Sequence, residues 1–152
     1  MTRAPQRNRT FFITFNTWGR RPIFRSDRFA QLIIEVLREG MRKKKFTIHA
    51  FVIMPDHLHI LITPDYLVSL EKAVQLIKGG FSFRVKKELG SAIEIWQPSF
   101  TNHRISDERD FAKHIEYIIR NPERASLVAD YPYVYPKAEA KAREINEPVS
   151  LG

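Results

Sequence analysis

Two histidines, His57 and His59, open an apolar run (Leu58, Ile60, Leu61, Ile62) directly after a Pro55-Asp56 turn. On a strand, alternate side chains share a face and lie about 6.6 Å apart along it. His57 and His59 then project together, while Leu58, Ile60 and Ile62 enter the opposite layer. Far along the chain, Phe111, Ile115, Ile118 and Ile119 form one stripe of a helix, and Tyr117 falls off that stripe beside Asp110, His114 and Asn121. Paired neutral imidazoles suit a divalent ion, and a phenol suits nucleophilic attack. Together they fit phosphodiester transesterification. A free tyrosine has a pKa near 10, so about one in a thousand is ionised at neutral pH and the phosphate must be polarised and held in line. A phosphotyrosine product would conserve the bond energy for rejoining without ATP, and the chain has no Gly-x-x-x-x-Gly-Lys-Ser/Thr loop. Each half alone has a plainer explanation, as polar residues on the wet side of a strand and a surface tyrosine on a solvated helix.

The elements that must position these groups can be read from periodicity. Strands are expected at 9–17, 47–54, 57–63 and 93–105. Ser26 and Ser69 are placed to cap helices over 27–44 and 70–89, with Gly90 as a C-terminal stop. Ser106 is expected to cap a third helix that ends near Asn121-Pro122, because the residue before a proline resists α geometry. Tyr131–Pro136 reads as an extended coda. The order implies an α+β fold of the ferredoxin-like, RRM-like βαββαβ type: a four-stranded antiparallel sheet, two helices on one face, and the additional C-terminal helix carrying Tyr117 on the other. The third helix is then the obvious cover for the histidine face. Residues 1–136 are expected to form a single domain, with a basic arm at 1–8 and a charged, mobile tail at 137–152.

The chain has 152 residues, a net charge of +8 and no cysteine. A disulfide framework, a thiolate metal site and a cysteine nucleophile are excluded. No apolar stretch approaches the roughly 20 residues of a membrane span, so a soluble, cytoplasmic protein is expected. Arg3, Arg7, Arg9, Arg20, Arg21 and Arg25 precede any acidic residue, and Arg38, Arg42, Lys43, Lys44 and Lys45 form a second cluster. Such clustering points to a polyanionic partner, nucleic acid ahead of a membrane surface. His49 alternates with Phe51 and Ile53 and reads as structural. Asp56 is placed to cap the turn or to orient a histidine.

These residues resemble the HUH single-tyrosine transposases, and within them the REP-associated tyrosine transposases. The resemblance runs from Arg9 to Pro136. It rests on Phe12-Ile-Thr-Phe, Gly19-Arg-Arg-Pro, His49-Ala-Phe-Val-Ile-Met-Pro-Asp-His-Leu-His, Lys78-Gly-Gly-Phe-Ser, Trp96-Gln97 with Phe100 and His103, and Tyr117-Ile-Ile-Arg-Asn-Pro-Glu-Arg-Ala-Ser-Leu-Val128. It implies that His57 and His59 bind Mg²⁺ or Mn²⁺, with Asn121 as a third polar ligand or helper, and that Tyr117 is the nucleophile. It further implies cleavage and rejoining of single-stranded DNA beside a REP-like hairpin through a 5′-phosphotyrosine, by a monomer or homodimer with no membrane partner. Arg9, Arg20, Arg21, Lys78, Arg84, His103, Arg104 and Arg124 are candidate DNA contacts. The family usually has histidine where Ile119 stands and glycine where Ser126 stands. A non-catalytic hairpin-binding module on the same fold is the alternative. A relaxase-like nickase shares the chemistry but fits a short chain less well.

Overall fold

The computed structural model describes residues 9–128 and 130–137; the expected arm at 1–8 and most of the expected tail lie outside them. Strand β1 (Phe11–Asn16) leads through two 3-10 turns (Trp18–Arg20 and Ile23–Arg25) into helix α1 (Asp27–Arg42). Strands β2 (Phe46–Met54) and β3 (His57–Pro64) form a hairpin, and helix α2 (Leu70–Leu89) follows. Strand β4 (Thr101–Arg104), helix α3 (Glu108–Arg124) and strand β5 (Val134–Tyr135) complete the order. The sheet is antiparallel in every pairing, with strand order β4-β1-β3-β2-β5.

The two faces of the sheet carry separate cores. Ile13, Phe15, Leu58, Ile60 and Ile62 join Leu37, Ile77 and Phe81 of α1 and α2 in the larger cluster. Val52, Met54 and Leu61 meet Ile115, Ile118 and Ile119 of α3 in the smaller one. This two-sided arrangement follows from the alternation in β3: one face inserts branched aliphatics, and the other carries the histidines. Ser26 and Ser69 cap α1 and α2 as expected, accepting from the backbone N–H of Phe29 and Lys72. Gly90, at φ 66°, ends α2 in the left-handed region.

Four expectations are corrected. The sheet has five strands, because Val134 and Tyr135 of the coda pair with Val52 and Phe51 at the outer edge of β2. The fourth strand shrinks to Thr101–Arg104, all exposed, and of the stretch before it only Trp96 bridges to Thr17. The cap of α3 is Asp107, whose carboxylate accepts from the Asp110 N–H, while the Ser106 N–H and hydroxyl donate to the Asp110 carboxylate. Finally, α3 runs through Pro122 to Arg124.

The helix survives the proline because its last turn is closed independently. The Ser126 N–H donates to the Glu123 carbonyl and the Leu127 N–H to the Pro122 carbonyl, with Ser126 at φ 61°. This pair of bonds is a Schellman closure, and its left-handed position favours glycine. Ser126→Gly is therefore expected to stabilise the fold by about 1 kcal/mol, since the left-handed region strains residues with a Cβ. Thermal unfolding should rise by roughly 2–4 °C; an unchanged or lower midpoint would contradict this account of the turn.

Candidate active site

The β1–β3 register sets Thr14 opposite His59 and Asn16 opposite His57, so Phe12, Thr14 and the two histidines share the face beneath α3. The histidine rings lie 4.8 Å apart, centroid to centroid. The His57 Nδ1–H donates to the Asp56 carboxylate at 2.7 Å, and Asp56 in turn accepts from Arg20 at 3.2 Å. His59 Nδ1 shares a 2.8 Å hydrogen bond with the Thr14 hydroxyl. With the rings as their Nδ1–H tautomers, both Nε2 atoms retain a lone pair for an ion, the orientation that ligating histidines ordinarily receive from a second partner. Burial of Asp56 opposes its charge, but hydrogen bonds from His57 and Arg20 prevail and hold its carboxyl below the usual value.

Phe12 links this pair to α3. Its ring stacks on His59 at 5.2 Å, meets His114 at 4.8 Å and meets Tyr117 edge-on at 5.7 Å. Tyr117 also contacts His59 directly, with ring centroids 5.4 Å apart. The Arg124 guanidinium lies 4.9 Å from the Tyr117 ring centre. One helical turn on, Asn121 is 8% exposed. Two imidazole nitrogens on one face suit a divalent ion such as Mn²⁺.

A second group on the same side contains His103, Asp110 and His114, with potential ligand atoms within 4.8 Å of one another. His103 Nε2 and the Asp110 carboxylate are 2.8 Å apart, His114 Nδ1 lies 2.9 Å from the Asp110 carbonyl, and the two rings stack at 4.8 Å. The hydrogen bond from the Ser106 backbone, followed by that from His103, holds the Asp110 carboxyl at about 2. This group could also hold a metal.

The other candidate DNA contacts divide by location. Arg9 is committed to the carbonyls of Pro64, Asp65 and Val68, and Lys78 to those of Gln97 and Ser99. Arg84 pairs with Glu35 and Glu88 on the α1–α2 side. Arg104 packs over Phe11, whose side chain belongs to the larger core. Arg21 donates to the carbonyls of Glu94 and Trp18. Arg20, His103 and Arg124 are the three that the fold connects to the histidine–tyrosine cluster. A cleft of about 550 Å³ lies between α1 and α2, away from that cluster. Phe12 and Thr14 stand in the Phe12-Ile-Thr-Phe motif, but their part in the site emerges only when β1 is paired in register with His59.

A family model described as Transposase IS200 like matches residues 7–121. The chain belongs to this transposase family. It is 28% identical over 128 residues to the REP-associated tyrosine transposase of Escherichia coli K12, spanning 82% of this chain and 74% of the relative. A putative REP-associated tyrosine transposase of Haemophilus influenzae is 31% identical over 97 residues, 55% of each chain. Among solved structures, a REP-associated tyrosine transposase bound to a REP hairpin superposes with a TM-score of 0.74 at 26% identity, covering 100% of this chain and 92% of that one. A putative transposase from Deinococcus radiodurans shares the fold, with a TM-score of 0.54 at 22% identity over 72% of this chain and 87% of that one. Among the described residues, no helix is long and apolar enough to cross a membrane.

An imidazole must be neutral to bind an ion, and burial provides for this. His59 is pushed down to about 3 by burial and then by the neighbouring His57, and burial lowers His49, bonded to Thr63, to about 4. Histidines with depressed folded pKa values take up protons first in the unfolded chain. Their contribution is therefore complete above about 6.5 and is lost as pH falls toward 4 and 3. Between pH 6.5 and 5, stability should fall with a slope approaching two protons, about 3 kcal/mol per pH unit. Urea unfolding at several pH values checks this, and His59→Gln should remove about half the slope. A flat profile for the unmodified chain would contradict the burial of these rings.

Proposed function

We propose that this chain is a metal-dependent strand transferase that cleaves and rejoins single-stranded DNA beside a REP-like hairpin, with Tyr117 as the nucleophile. The observation that carries the reading is the contact of the Tyr117 ring with His59, whose Nε2 is free to bind an ion. A divalent ion held by His57 Nε2, His59 Nε2 and the Asn121 amide would supply Lewis-acid polarisation of the scissile phosphate. Asp56 and Thr14 keep the two imidazoles aimed, and Arg20 keeps Asp56 ionised and in place. The Tyr117 Oη forms a bond to phosphorus as the P–O3′ bond breaks; the phenolic proton is lost to solvent and O3′ gains one to leave as a hydroxyl. The resulting 5′-phosphotyrosine is resolved when a 3′-hydroxyl attacks the same phosphorus and tyrosine departs. Arg124 places a permanent cation beside the nucleophile, where the transferring phosphate must pass.

The hairpin partner is supported by the solved relative that holds a REP hairpin and by the basic surface of this chain. The test is incubation with a labelled hairpin bearing a single-stranded flank, with Mn²⁺ or with chelator, followed by a denaturing gel. A metal-dependent protein–DNA adduct is the expected outcome. Tight hairpin binding with no adduct in Mg²⁺ or Mn²⁺ would leave a hairpin-binding module instead.

A further inference from the structure

On the outer side of the nucleophile, an open cleft of about 330 Å³ is walled by the rings of Phe12, His114 and Tyr117 and edged by Lys113, Arg120 and Arg124. Its size falls within the range of small-ligand sites, about 300–1,000 Å³. Glu116 also lines it and pairs with Arg120, which lies 3.7 Å from Glu123 as well, so the cleft's own lining carries three cations against one anion. Aromatic walls with a cationic edge match the two chemical faces of one nucleotide in a single strand, a flat base and a phosphate. A base paired in a duplex offers no exposed face to such a wall.

We propose that this cleft receives one unstacked base of the single-stranded flank, next to the phosphate that Tyr117 attacks. The inference rests on the proposed DNA reaction and adds to it a base-holding site that the metal pair does not require. The base would stack against Phe12, with its phosphate at Lys113 and Arg120. Because Phe12 also packs on His59 and Tyr117, an occupied cleft bears directly on both halves of the active site. Stacking at this position would favour purines over pyrimidines, because a purine covers more of the aromatic wall.

The experiment uses the full chain in chelator, so that binding is read without cleavage. The probe is a hairpin with a single-stranded flank carrying 2-aminopurine at one flank position at a time. Quenching on binding is expected at one position, adjacent to the phosphate that becomes joined to protein when Mn²⁺ is added. An abasic site there should weaken binding about tenfold, within the range of one base–aromatic stack. Phe12→Leu should abolish the quench and Phe12→Tyr should retain it. Lys113→Ala combined with Arg120→Ala should flatten the salt dependence of flank binding by about 0.7 for each phosphate left without its cation, with a blunt hairpin bound as before. Quenching at no position, or an equal quench with Phe12→Leu, overturns the cleft assignment while adduct formation still stands. Equal weakening for blunt and flanked hairpins also overturns it. Failure to bind the hairpin at all overturns both readings.

Discussion

Tyr117→Phe is expected to yield no denaturant-resistant DNA adduct, with cleavage of the single-stranded flank reduced at least about 10³-fold, because the atom that bonds to phosphorus is gone. Hairpin affinity should stay within about twofold of the unmodified chain. The separation follows from the geometry: the contacts of residue 117 with Phe12, His59 and Arg124 are made by the ring, and phenylalanine keeps the ring. A denaturing gel of labelled DNA reports the adduct, and a binding titration reports the affinity. An adduct that persists in this variant would assign the nucleophile elsewhere, since Tyr66, Tyr131, Tyr133 and Tyr135 are the other tyrosines in the chain.

The second large effect is expected at the histidine pair. His57→Ala or His59→Ala should abolish metal-dependent cleavage, again by about 10³-fold or more, because a Lewis-acid contribution of several kcal/mol is removed with the ion. Asp56→Asn should be milder, about 10- to 100-fold in metal affinity, as befits a residue that only holds the His57 ring. Titration with Mn²⁺ beside the cleavage assay separates these cases. The same titration discriminates between the two candidate groups. Loss of metal-dependent cleavage in His103→Ala and His114→Ala, with retention in His57→Ala, would move the ion to the Asp110 cluster.

The histidine strand is legible in the sequence because three local signals agree there: a Pro55-Asp56 turn, the alternation of His57, Leu58, His59 and Ile60 leading into an apolar run, and histidines confined to one parity. The helical position of Tyr117 is legible for the same kind of reason, the stripe of Phe111, Ile115, Ile118 and Ile119. Strand β5 is not, because a two-residue pairing inside Pro132–Pro136 has no periodicity of its own; Val134 and Tyr135 are a strand only because the outer edge of β2 is there to accept them. The shortened β4 presents the opposite problem. Residues 93–105 contain enough aromatic and branched residues to suggest a long strand, yet Thr101–Arg104 is exposed throughout and is held by backbone bonds to β1 rather than by a buried face. Ser106 and Asp107 are both competent caps, and the choice between them depends on Asp110 turning back to bond Ser106, a contact between side chain and backbone that spacing does not resolve. Pro122 reads as a stop by a local rule, but the closure at Ser126 lies beyond it and depends on a left-handed serine. The parts of the candidate site supplied by Thr14 and Phe12 belong to register, which only the assembled sheet defines.

The separation of the two cores has a mechanical consequence. The larger one locks α1 and α2 to the sheet and behaves as a keel, whereas Tyr117, the proposed nucleophile, rides on a helix moored through the smaller patch of Ile115, Ile118 and Ile119. In the proposed reaction, a pull on α3 from a bound strand would fall first on that smaller mooring, and the strand that aims both imidazoles would be held from its other face by the keel.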